Sequence, residues 1–230
     1  GIVLADVDGA RITCSRAWDN GWRNDHPSGP IGIWTWDSNA VVIDRNEAWA
    51  NGSATRDGGG FDLDGGATNC VLRGNTSHEN GGSGFLVYQF AGARPMRDNL
   101  VVDNVSVNDG RTNGGGLVVG GGALRTTFAR NVVQLAPRAN ADAGSDGPYG
   151  VHVVRDGATN VDTAFADNLI ATEDGVPLIV VPEPARQTRL AFTGNVYDTG
   201  GAPVSIVWGN ATYGSVEAWS AATGQEPAQP

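Results

Sequence analysis

The feature that most constrains this chain is a repeat of about 30 residues. SRAWDNG at 15–21 returns as NEAWANG at 46–52, shifted by 31 positions. Asparagine then recurs at Asn46, Asn75, Asn104, Asn131, Asn168 and Asn195, with Ser15 in the first slot. A second series marks the start of each unit: GIVLA, GIWTW, GFDLD, GFLVY, GLVVG, GVHVV and PLIVV. Short apolar runs at this period, with no helix-period segments between them, predict a parallel solenoid in which each turn buries its inward side chains on the next. The 34 glycines fall beside these runs and read as tight turns rather than disorder. The expected architecture is therefore all-β, a parallel β-helix of about seven coils.

With these repeats the sequence resembles the right-handed parallel β-helix proteins of the pectate-lyase-like superfamily, over almost the whole chain. Residues 1–226 are expected to form one domain. From about residue 203 a final strand and a capping segment follow, whose EAWSAAT part suits a short helix over the open end. Residues 227–230 are expected to be loose. RANADAGSDGP, 138–148, reads as a loop extending one coil. The slot asparagines are expected to be structural, their stacked amides bonding from coil to coil. Cys14 and Cys70 lie two coils apart, about 9.6 Å at one strand spacing per coil, beyond disulfide reach. Both are expected to be free and largely buried.

Strand alternation sorts the unit starts into columns. The second column (Ile2, Ile33, Phe61, Phe85, Leu117, Val151, Leu178) is wholly apolar and should face in, as should the fourth, which is apolar but for Thr35. The third and fifth should face out. That places Asp62 and Asp64 of GFDLDGG side by side on an outer face, with Trp34 and Trp36 on the coil below and Tyr88 on the coil above. Like charges beside large apolar rings are costly to ionise, which suits either a bound cation or an acid pair with one member protonated. Rings beside carboxyls also suit sugars. Asp62 and Asp64 are thus the candidate catalytic pair, and their Cα atoms should lie about 7 Å apart, a spacing compatible with glycoside hydrolysis.

Turns bring further candidates. His26 lies in WRNDHPSGP, Asp57 precedes the pair, Asp37 follows Trp36, and QFAGARPMRD supplies Gln89, Arg94 and Arg97. Trp34, Trp36, Tyr88, Gln89, Arg94 and His26 form the expected substrate-binding set, with Arg94 suited to a substrate carboxylate. His78 and Glu79 read as ordinary turn residues. His152 faces outward about 14 Å from Asp62, a distal contact at most.

The resemblance implies a protein acting on a polysaccharide or oligosaccharide along the outer groove, in a family that includes hydrolases, lyases, epimerases and non-catalytic members. It also implies an extracellular or periplasmic location, although no export signal is present here. The chain contains no lysine, which removes the usual lysine base for β-elimination and favours hydrolysis without a required cofactor. The alternative is a lyase with an arginine base, in which Asp37 and Asp57 join Asp62 and Asp64 to bind Ca²⁺. A non-catalytic glycan-binding β-helix also fits, and the polygalacturonase motif set is not matched. A net charge of −10 disfavours nucleic acid and anionic membranes, and no apolar run is long enough to span a bilayer. A monomer is expected, with association through an open N-terminal coil as the alternative.

Overall fold

The computed structural model describes residues 1–26, 29–54, 57–138 and 146–227. Most of the 138–148 loop, part of the loops around His26 and Asp57, and the last three residues lie outside them. The chain winds into a parallel β-solenoid of about seven coils with three sheets. The first sheet takes one strand from each coil: β1 (Ile2–Ala5), β2 (Ile33–Trp36), β3 (Phe61–Asp64), β4 (Phe85–Tyr88), β5 (Asn113–Gly121), β6 (Asp146–Gly157) and β7 (Ile179–Val181). It is extended by β8 (Ile206–Trp208) and an antiparallel strand, β9 (Ala211–Tyr213). The other two sheets have seven strands each.

The inward columns stack as alternation requires. Ile33 pairs with Phe61, Phe61 with Phe85, Phe85 with Leu117 and Leu117 with Val151, and all are buried. The Phe61 and Phe85 rings stack 5.1 Å apart, and Phe128, Phe165 and Phe192 continue the same device inside the second sheet. The seventh coil departs from the expected register. Val151 pairs with Ile179 rather than Leu178, and His152 with Val180. PLIVV is apolar at every position, so either phase buries an apolar side chain and alternation gives no phase.

The slot asparagines form a continuous internal ladder. The Oδ1 of Asn75 accepts from both the backbone N–H and the side-chain amide of Asn46, and the same pair of bonds repeats to Asn104, Asn131, Asn168 and Asn195. Each amide also donates to a carbonyl across the corner, as Asn104 Nδ2 does to Leu72 O. The residue before each slot adopts a left-handed conformation, with φ between 51° and 68° at Cys14, Arg45, Gly74, Asp103, Arg130, Asp167 and Gly194. This corner directs its side chain outward. Cys14 is accordingly exposed, not buried as expected; Cys70 is buried, and both thiols are free.

A second ladder, five residues after the first, runs through Asn20, Asn51, Asn80 and Asp109; its first two members are the shared asparagines of SRAWDNG and NEAWANG. On the outside of the third sheet Trp18, Trp49 and His78 stack with ring centroids 5.0 and 5.6 Å apart. His78 is therefore a strand residue, facing Glu47 at 3.4 Å, rather than a turn residue. Glu79, by contrast, occupies a corner at φ 56° and pairs with Arg111.

The last coil is closed by helix α1 (Val216–Thr223). Ser215 caps its N-terminus through Ala218 N–H, and Gly224 ends it at φ 73°. Trp219 is buried against Phe192 and Trp208. Glu226 terminates the asparagine ladder, accepting from Asn195 Nδ2 and from Tyr197 Oη–H at 2.8 Å.

Candidate functional site

The outer face of the first sheet carries a cavity of about 740 Å³. Its floor has two rows set by strand alternation: Trp34, Asp62, Leu86, Val118 and His152, then Trp36, Asp64, Tyr88 and Val154. Asp62 is directly paired with Trp34 on one side and Leu86 on the other, and Asp64 with Tyr88. One wall comes from Ile31, Asp57 and Ser83, which precede their strands, and from Asn113 and Asp146, the first residues of β5 and β6. Phe90, just beyond β4, lies on the opposite side.

The two central aspartates occupy different environments. Asp62 points outward from the solenoid, yet only 3% of it is accessible, because the cavity walls cover it. Its Oδ1 is buried and lacks a hydrogen-bond partner among the described residues. Burial raises its pKa well above the carboxylate range, with Asp64 and Asp57 adding to the effect. Asp64 is half-buried and accepts from Gly65 N–H at 2.8 Å. Burial carries its pKa up to about 6 against that stabilising bond, and Asp57 raises it further. Asp57 is itself pushed up by burial and held by Gly29 N–H. Gly58 makes that position attainable: its φ is +90°, and a Cβ there would lie 2.7 Å from the backbone of Gly52 and Ser53.

At the far end Tyr149 Oη–H donates to Asp146 Oδ1 at 2.8 Å, and its ring meets the edge of His152 at 4.9 Å. Burial, then the Asp146 bond, pushes the Tyr149 hydroxyl up to about 12. His152 therefore shares the cavity with Asp62, three strands away.

Several expected site residues are placed elsewhere. Gln89 is consumed by the local turn: its Oε1 accepts from Gly66 and Met96 N–H, and its amide donates to the carbonyls of Phe90 and Ala93. Arg94 pairs with Asp37 and, at 3.0 Å, with Asp6, away from the lining residues. His26 is exposed and does not line the cavity. The four-aspartate cation set is thus divided, with Asp37 held by Arg94. Among the described residues, no group of three or more His, Cys, Asp or Glu is placed to hold a metal ion.

Asp146, Asn113, Ser83 and Phe90 are lining residues that the repeat did not reveal. A signal for Asp146 exists: Asp57 and Asp146 each stand four or five positions before an inward strand residue, Phe61 and Val151, and each is followed by glycine.

Fold and site together define a parallel β-helix with an acidic, ring-lined cavity on one sheet. The family model described as right handed beta helix region matches residues 1–133, and the chain belongs to that family. No curated protein matches the sequence. A solved structure named as a glycoside hydrolase superposes on 79% of this chain with 11% identity and a TM-score of 0.43. The chain covers 42% of that protein, less than half its length, and so distant a likeness says nothing about function. No helix among the described residues is long and apolar enough to cross a membrane.

Proposed function

We propose that this protein is a glycoside hydrolase acting on a polysaccharide or oligosaccharide held in the cavity. The observation that carries the reading is the inequality of Asp62 and Asp64, adjacent on one strand face and framed by Trp34, Trp36 and Tyr88. Asp62, almost fully enclosed and without a partner on Oδ1 among the described residues, is biased by burial toward its protonated form and serves as the general acid to the leaving oxygen. Asp64, titrating near pH 6, is ionised above that value and serves as the base or nucleophile. Indole and phenol faces pack on the sugar C–H faces and exclude water from the acid. This division of roles requires no cofactor. A protein of this kind would work outside the cell or in the periplasm, where polysaccharides are met.

The test is release of reducing ends from a panel of polysaccharides. Asp62→Asn and Asp64→Asn should each lower turnover by about 10²–10⁴-fold while the fold persists. Activity should rise with pH through about 6 as Asp64 ionises and fall once Asp62 loses its proton. Full activity in both variants would remove the assignment.

A further inference from the structure

The lining of the cavity extends beyond the acid pair and carries a consistent sign of charge. Four rings, Trp34, Trp36, Tyr88 and Phe90, line the same space as the carboxyl groups of Asp57, Asp62 and Asp64. Asp146 adds a fourth carboxyl toward the far end. No described lining residue is arginine, and the chain has no lysine. Arg94, the residue best suited by sequence to meet a uronate, is engaged by Asp37 and Asp6 outside the cavity.

These facts bear on the charge of the ligand. A polyuronate would bring carboxylates into a space that already holds four carboxyl groups, and like charges in a desolvated site repel strongly. An ammonium group is attracted twice, by the negative faces of the rings and by charge-assisted hydrogen bonds to carboxylates. Asp62 supplies a second, independent pointer. Among the described residues its buried Oδ1 has no donor, and it opens on this cavity. A ligand hydroxyl would satisfy that hydrogen bond, and an ammonium would do so while also pairing with the ionised carboxyl of Asp64 two residues along the strand.

We propose that the cavity selects glycans bearing free amino groups, built from hexosamines, over neutral and acidic glycans. This rests on the carbohydrate reading above and specifies its substrate class. The groups facing Asp64 are Asp57 from the preceding loop, Asp62 on the same strand and Tyr88 on the next; His152 and Asp146 stand farther along. Nothing in that set supplies a fixed positive charge. Affinity for an amine therefore rises with pH as Asp64 loses its proton and falls again once the amine loses its own, a dependence that a neutral glycan does not share.

The experiment measures binding to the wild-type protein by calorimetry, with tetramers of glucosamine, N-acetylglucosamine and galacturonic acid as probes. At about pH 6.5, where Asp64 is mostly ionised and the amines still carry protons, the glucosamine tetramer should bind about 10-fold or more tightly than either other probe, the effect of one charge-assisted hydrogen bond. The advantage should shrink at about pH 5, below the Asp64 transition, and in Asp64→Asn at either pH. Equal binding of the amino and N-acetyl tetramers overturns this inference and leaves the carbohydrate reading standing. Preference for galacturonate overturns it too, and would mean that an arginine outside the described residues reaches the cavity. Failure of all three probes, joined to absent activity on the polysaccharide panel, overturns both proposals.

Discussion

Two buried aspartates, Asp109 in the interior and Asp62 in the cavity, are 1% and 3% accessible. They are treated very differently. Asp109 ends the second ladder. Its Oδ1 accepts from Asn80 N–H at 3.1 Å and Asn80 Nδ2 at 2.8 Å, and its Oδ2 from Ser106 Oγ at 2.7 Å. Burial still lifts it to about 6, but the bonds hold it there. Asp62 has no such set, and among the described residues its Oδ1 faces no donor. Burial alone therefore does not separate the two acids. Their partners do: the interior acid is bonded through both oxygens, and the cavity acid is left for a ligand to satisfy under the reading proposed above.

The largest effect that would sharpen this contrast is on stability. Asp109→Ala should cost about 4 kcal/mol, since three buried donors lose their acceptor, measurable by denaturant unfolding. A loss below about 1 kcal/mol would make the second ladder energetically idle.

Next in size is the pH dependence. Native Asp64 titrates near pH 6, whereas an unfolded aspartate titrates near 3.8. Between those values the native state holds a proton that the unfolded state has released. Stability therefore falls as pH rises through this window, by about 3 kcal/mol for a shift of about two units. Asp62, shifted in the same direction by burial, adds to the loss. Aspartates lowered by arginine partners, such as Asp98 at about 2, act in the opposite sense and lose their contribution only in strong acid. The difference between wild type and Asp64→Asn isolates the effect: the variant should gain relative stability from about pH 4 to pH 7. A pH-independent difference would mean that Asp64 is not desolvated in solution.

Smaller still, Asp62→Ala should stay within about 1 kcal/mol of wild type at neutral pH, or exceed it, because the carboxyl leaves no protein donor stranded. A large loss would place Asp62 beside Asp109 as a structural acid and break the comparison. Smallest is Arg94→Ala. Its pairs with Asp37 and Asp6 are largely exposed, and such bridges contribute well under about 1 kcal/mol. Thermal unfolding should barely change, and glycan binding should be retained.

The solenoid and the inner columns were legible because both are periodic. A coil that does not repeat Ile33, Phe61 and Phe85 at the right step cannot bury itself. The asparagine ladder was legible for the same reason, as was the outward placing of Asp62 and Asp64. What failed was phase or partner choice. PLIVV has no polar member to fix its register. Cys14 follows a strand yet turns outward, because the left-handed corner interrupts alternation. Gln89 and Arg94 are long side chains on one turn, and nothing in the sequence says that Gly66 or Asp37 will claim them. The far wall, including Asp146, belongs to segments whose length varies from coil to coil, so no period announces it. The second ladder was missed although Asn20, Asn51 and Asn80 stand at steps of 31 and 29.

The ladder spacings in sequence run from 27 to 37 residues, yet the same two amide bonds recur at every step. Extra chain is thus shed sideways, at the rim, without disturbing the spine. A loop grafted into or trimmed from one coil would reshape the mouth of the groove while the rise from one coil to the next stayed constant. Such a scaffold lets the contour of a binding cleft be edited coil by coil, with the coil-to-coil spacing of its floor left as a fixed ruler.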